Sequence, residues 1–158
     1  SKGLSFADAG YWAAIPTTIS IISALLIPRF ATTERRVLVM GLLILAAGLA
    51  TTLLHTSPGF QLAFGLCLQG LARGAMMTVA LLMLVEIPNV GPKRAGTAGG
   101  LFFTAAEIGG VAGPLVIGFL HDLTGDFSYP LNVLTVITFL LLGLLLALQK
   151  TLKHDLIN

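Results

Sequence analysis

Charge is what this chain has least of. Only 10% of its 158 residues are Asp, Glu, Lys or Arg, while 56% are hydrophobic. A water-soluble domain carries roughly 25% charge. With a mean hydropathy of +0.94, the shortage excludes a soluble globular domain and points to the membrane class. Cysteine is nearly absent. Cys67 stands alone inside an apolar run, so no intrachain disulfide and no cysteine metal site can form, and it reads as a small buried hydrophobe. The three histidines, His55, His121 and His154, are scattered and do not form a metal set. No G-x-x-x-x-G-K-[ST] loop is present, so ATP-driven work by this chain alone is unsupported. His121-Asp122 has no nucleophile beside it in sequence, so an enzyme is not expected, and neither is a cofactor. The net charge of +2, without a basic stripe interleaved with aromatics, gives no footprint for nucleic acid. The chain begins at Ser1 with no signal-peptide pattern, which reads as a cut through a longer protein.

What the chain does have is length of apolar sequence. Five spans stand out, at about residues 9–27, 37–54, 60–85, 95–120 and 131–149. A helix rising 1.5 Å per residue crosses a hydrocarbon core in about 20 residues. In lipid each segment must satisfy its own backbone groups, so helices are expected. The alternation of a barrel strand is absent from runs such as residues 139–148. The fold class is therefore all-α, a polytopic transmembrane bundle of five spans forming one membrane unit over residues 1–158. Residues 28–36, 55–59, 86–94 and 121–130 are expected as connections. The third rests on the breakers Pro88, Gly91 and Pro92.

Five spans put the two ends on opposite sides. One side gathers Arg29, Arg35, Arg36, Lys93, Arg94, Lys150 and Lys153, and the other has only Lys2. Cytoplasmic loops carry the Lys/Arg excess, so the C-terminus is expected in the cytoplasm and Ser1 outside. The expected setting is a cell (inner) membrane.

Spans two and five are uniformly apolar and read as peripheral, lipid-facing helices. Spans three and four are rich in small residues. Gly70 and Gly74 make one G-x-x-x-G pattern, and Gly109 and Gly113 another. In lipid such pairs let helix backbones approach closely. Pro114 follows directly and is expected to kink span four. These two spans read as the interior of the bundle.

Each of them also carries a full charge near its middle, Arg73 in span three and Glu107 in span four. A bare charge at the bilayer centre costs at least about 2.5–3.5 kcal/mol, so such residues mark solute pathways or bind a partner. Opposite charges at one depth on consecutive helices suggest either an ion pair or a shared wet cavity. Arg73 would hold an anionic group by charge-assisted hydrogen bonds. Gln69, four residues earlier on the same helix face, would add a neutral donor and acceptor. Glu107 is the candidate for a coupling proton, or else a charge partner for Arg73. Glu86 and Asp122, at span ends, read as capping or ion-pairing residues.

Two stretches carry a resemblance. The third connection reads Glu86-Ile-Pro-Asn-Val-Gly-Pro-Lys-Arg94-Ala-Gly-Thr-Ala-Gly99, and span four ends Gly113-Pro-Leu-Val-Ile-Gly118-Phe-Leu-His-Asp122-Leu-Thr-Gly125. Together they resemble the C-terminal half of a major facilitator superfamily transporter. Glu86, Pro88, Arg94, Gly96, Asp122 and Gly125 fall on the loop motifs. The resemblance implies a partial major facilitator fold in which the spans are helices eight to twelve, a fragment of the C-terminal six-helix half. It places the tenth helix against the central cavity and the ninth and twelfth at the periphery. The family's basic loop signature would lie near residues 27–36, where only Arg35 and Arg36 match. Members bind solute between two halves, so the missing N-terminal half is an expected partner, beside the bilayer and a small-molecule solute.

The expected function is secondary active transport of a small polar or anionic organic solute by alternating access, with Glu107 available for proton coupling. A drug or metabolite efflux carrier fits the same residues. A non-transporting bundle held together by the glycines and an Arg73–Glu107 pair is the reading from another class.

Overall fold

Each apolar run forms one helix. A computed structural model describes residues 6–54, 59–87 and 90–155. Its elements are α1 (Phe6–Phe30), α2 (Arg36–Leu53), α3 (Phe60–Val85), α4 (Gly91–Thr124) and α5 (Ser128–Asp155). No strand occurs among the described residues, and all five helices are long and apolar enough to cross a membrane.

The connections are shorter than expected. Pro28 lies inside α1, so only residues 31–35 separate α1 from α2. α4 begins at Gly91 with Pro92 in its first turn. The reason is positional: a first-turn proline gives up an N–H that would have had no helical partner, and its fixed φ suits the start of a helix. His121 and Pro130 likewise lie inside α4 and α5, leaving residues 125–127 as the turn. Gly125 closes α4 at φ +70, a left-handed conformation that favours glycine, with its N–H donating to the His121 carbonyl at 2.7 Å. The Asp126 carboxylate then accepts the Ser128 N–H at 3.1 Å, at the first residue of α5. The connection expected at residues 55–59 lies, apart from Gly59, outside the described residues.

α3 is the centre. It packs against α1 on one side and α2 on another, α2 packs in turn on α5, and α4 touches α3 and α5 more lightly. The α1–α3 seam is tight because Gly70 and Gly74 present no side chain. A Cβ on Gly70 would lie 2.8 Å from Pro16 Cα, and one on Gly74 would lie 2.7 Å from the Ser20 carbonyl carbon. Ser23, 4% exposed, sits at this seam and donates to the carbonyls of Ser20 (3.1 Å) and Gly70 (3.4 Å). Between α2 and α3 the core is Met40, Leu43, Ile44, Ala75 and Val79, closed by Ala31 from the first connection. The Thr51 and Thr135 hydroxyls meet at 2.9 Å between α2 and α5.

Burial within this chain is distributed differently from the reading of the spans. α2 is not peripheral within this chain: 33% of its apolar window is buried, the largest share of the five helices. Its exposed face is the row Leu38, Leu42, Leu45 and Leu49, while Met40, Leu43, Ile44, Ala46, Gly48 and Ala50 pack inward. A helix apolar all round gives periodicity nothing to separate. α4 is not interior within this chain, since none of its window is buried. A Cβ on Gly109 or Gly113 would meet nothing within 4 Å, so that pair has no packing partner among the described residues. The physical reason is where α4 leans: Gly99 approaches Leu81 on α3, and the helix beyond it has little opposite it.

One polar tie holds an end of the bundle. Arg36, at the start of α2, pairs with Glu86, which follows α3. Arg36 also donates to the carbonyls of Ala31 (3.0 Å) and Leu82 (3.4 Å), and Thr33 donates to Glu86 (3.2 Å). The ion-pairing role expected of Glu86 is thus present.

Candidate functional site

α3 presents two unlike stripes. Its glycines face α1, and a second stripe carries Arg73, Met76, Met77 and Ala80. The spacing i, i+3, i+4, i+7 puts these four on one face of a helix. This face opens into a cleft of about 640 Å³ bordered by all four residues. Met40 and Ile44 of α2, Phe102 of α4, and Leu141, Leu144 and Leu145 of α5 complete the lining. α3 and α5 do not approach each other closely, and the cleft occupies the space between them.

Among the described residues Arg73 is the only charged one on the wall. It is exposed, and it makes no ion pair among the described residues. Gln69 lies one turn earlier, exposed on the same side of α3, but outside the cleft lining. Glu107 is exposed on α4 and forms no ion pair with Arg73. The helical repeat accounts for this. Glu107 is five residues beyond Phe102, which turns it about 140° around α4 from the side chain that faces the cleft. The two charges expected either to pair or to share a wet cavity form no ion pair, and of the two only Arg73 borders the cleft.

The remaining motif residues take local positions. Pro114 lies inside a continuous α4. Arg94 and Gly96 are in the first turns of that helix, both exposed. Pro88 lies outside the described residues. Asp122 is exposed, with Oδ1 3.9 Å from His121 Nδ1, while the His121 ring packs edge-on to Phe127 at 3.9 Å between centroids. No group of His, Cys, Asp and Glu suited to a metal occurs among the described residues.

A family model described as Major Facilitator Superfamily matches residues 1–156. The chain belongs to that superfamily. It is thus an integral, multi-pass membrane protein of a transporter superfamily, and its five helices are a partial major facilitator bundle. No curated protein and no solved structure matches it.

Within this superfamily chain, several residues of the cleft and its supports were missed by sequence reasoning. Met40, Ile44, Met76, Met77 and Phe102 belong to apolar runs in which a cleft wall and a packed core look alike. The placement of Arg73 did carry a signal for two of them, because Met76 and Met77 share its face at helical spacing. Ser23 and the Thr51–Thr135 contact carried a weaker one, being hydroxyls within otherwise apolar spans.

Proposed function

We propose that this chain is part of a secondary active transporter that moves a small organic anion by alternating access, with Arg73 holding the anionic group. The observation that carries this reading is a guanidinium with no ion-pair partner among the described residues, near the middle of a membrane span and on the wall of a cleft of ligand size. Intramembrane charges are costly and mark solute or ion pathways, and ligand sites are mostly apolar concavities of about 300–1,000 Å³ with a few orienting polar groups. Arginine offers a fork of N–H donors that matches a carboxylate. Gln69, one turn away on α3, is the neutral group that a moving solute would meet next.

In this reading the five helices are helices eight to twelve, and a preceding half of the same transporter supplies the opposite wall. The C-terminus lies in the cytoplasm of a cell whose surrounding membrane holds the protein, a reading the Lys/Arg asymmetry supports. Glu107, a carboxylate with no ion-pair partner among the described residues, carries the coupling proton.

The test is solute uptake by the purified full-length protein in proteoliposomes. Arg73→Gln lowers uptake of organic anions by at least about tenfold, the loss expected for one charge-assisted contact, while the protein still folds. Glu107→Gln abolishes accumulation driven by a proton gradient and spares solute exchange. Full activity of the exchanged pair, Arg73→Glu with Glu107→Arg, would instead assign both residues to the scaffold.

A further inference from the structure

We infer that the solute held at Arg73 is a monoanion with an apolar body: a single carboxylate on a short hydrocarbon or aromatic frame. The inference rests on the transport reading above and narrows it. The cleft offers one cation and, besides it, only Met, Ile, Ala, Phe and Leu side chains. On the wall this chain supplies, a dianion would leave a second charge without a partner, and a hydroxylated solute would lose hydrogen bonds to water that these side chains do not replace. A carboxylate set on Arg73 with its body laid along Met76, Met77, Met40 and Phe102 satisfies both the charge and the apolar wall. Three methionines make that wall adaptable, because an unbranched thioether side chain refits to different shapes. The site therefore selects for charge and apolarity more than for outline.

Depth decides between a free carboxylate and a membrane lipid. Arg73 is 13 residues from Phe60 and 12 from Val85, which puts it about 20 Å from either end of α3 at 1.5 Å per residue. A phospholipid keeps its headgroup at the interface, roughly 15 Å from the bilayer centre. Its phosphate does not reach Arg73 without leaving water. A small amphipathic carboxylate is under no such tether.

The experiment is equilibrium binding of radiolabelled 4-phenylbutyrate to the full-length protein in phosphatidylcholine nanodiscs, with empty discs subtracted. Saturable binding is expected. Acetate, succinate and 4-phenylbutylamine should each compete at least about tenfold less well, the first two lacking the body and the third the negative charge. Arg73→Gln should weaken binding by about tenfold or more, and Arg73→Lys should restore part of it. Ala80→Phe fills the cleft from α3 and leaves the guanidinium in place, so it should abolish binding on its own. Unchanged elution and thermal unfolding show that the variants fold. Equal competition by acetate and phenylbutyrate would overturn the inference, and so would binding indifferent to Arg73→Gln. Loss of binding on adding phosphatidylglycerol to the discs would overturn it in favour of a lipid occupant. Uptake by proteoliposomes separates the two claims. Phenylbutyrate that binds through Arg73 but is never taken up refutes transport and leaves the site standing. Uptake of other solutes without carboxylate binding refutes the site and leaves transport standing.

Discussion

Replacing Gly74 with alanine puts a methyl group where the backbone of α1 already lies. The new Cβ would sit 2.7 Å from the Ser20 carbonyl carbon, and the same change at Gly70 would sit 2.8 Å from Pro16 Cα. Carbon atoms in good contact are about 3.5–4.0 Å apart, so each substitution demands that the helices separate by about 1 Å. The obstacle is main chain, which cannot rotate away as a side-chain tip can. A gap of 0.5–1 Å forfeits roughly a quarter to a half of the dispersion energy along a seam, and in lipid dispersion is a principal force joining helices. Overpacking of this kind costs about 1–3 kcal/mol. Gly41 is the internal control. Its Cβ would meet Leu145 Cδ2 at 3.8 Å and Leu142 Cδ1 at 3.9 Å, ordinary contacts with flexible side chains, so Gly41→Ala should change stability by no more than about 0.5 kcal/mol. The assay is reversible unfolding of the full-length protein in mixed micelles titrated with dodecyl sulfate, followed by circular dichroism. If Gly74→Ala unfolds no earlier than Gly41→Ala, the close approach of α1 and α3 is wrong, and the reasoning fails with it.

Two further outcomes follow from the ends of the helices. A double-mutant cycle of Arg36→Ala and Glu86→Ala, read by the same unfolding titration, should give a coupling of about 1 kcal/mol. The value is modest because the Glu86 side chain is 38% exposed. Arg36→Ala alone should cost more than Glu86→Ala alone, since it also removes donors to Ala31 and Leu82. At the other end, the backbone N–H of Ser128 holds the Asp126 carboxyl below its ordinary value of 3.8, with its side chain, the Phe127 N–H and His121 helping. A depressed carboxylate contributes stability above its unfolded pKa and loses it as pH falls through the folded one. Amide-exchange protection at Ser128 should therefore hold at neutral pH and decline on acidification below 3.8. The Asp126→Ala variant should show no such decline, and a decline that persists in it would assign the effect elsewhere.

The number and type of elements were legible because the constraint that sets them is simple. A run of about 20 apolar residues in lipid has to be a helix, and α3 begins and ends where its apolar run does. The glycine pair of α3 was legible for the same kind of reason, as a gap at helical spacing that a neighbour fills. The identical pattern in α4 was not, because a small-residue seam states that approach is possible and not what approaches. The packed face of α2 was not legible because Leu is equally at home against lipid and against protein. Its run of small residues, Ala46, Ala47, Gly48 and Ala50, was the better guide to the packed face. At the candidate site, sequence picked out Arg73, which borders the cleft. It could not pair or separate Arg73 and Glu107, since equal depth leaves the rotation of each helix undetermined.

The central place of α3 has a consequence for how the bundle comes together as it is synthesised. α1 and α2 are neighbours in sequence, yet their backbones do not approach each other closely; each packs on α3. As this stretch emerges, α1 and α2 therefore have no extensive surface to share with each other, and α3 is the helix that joins them. Within this chain α1, α2 and α3 form one packed unit, and its last-made member is the wedge. An arrest at residues 55–58 would leave α1 and α2 without the helix that joins them, whereas one after Val85 would leave their shared packing complete. The seam of Gly70 and Gly74 thus decides when α1 gains its partner within this unit.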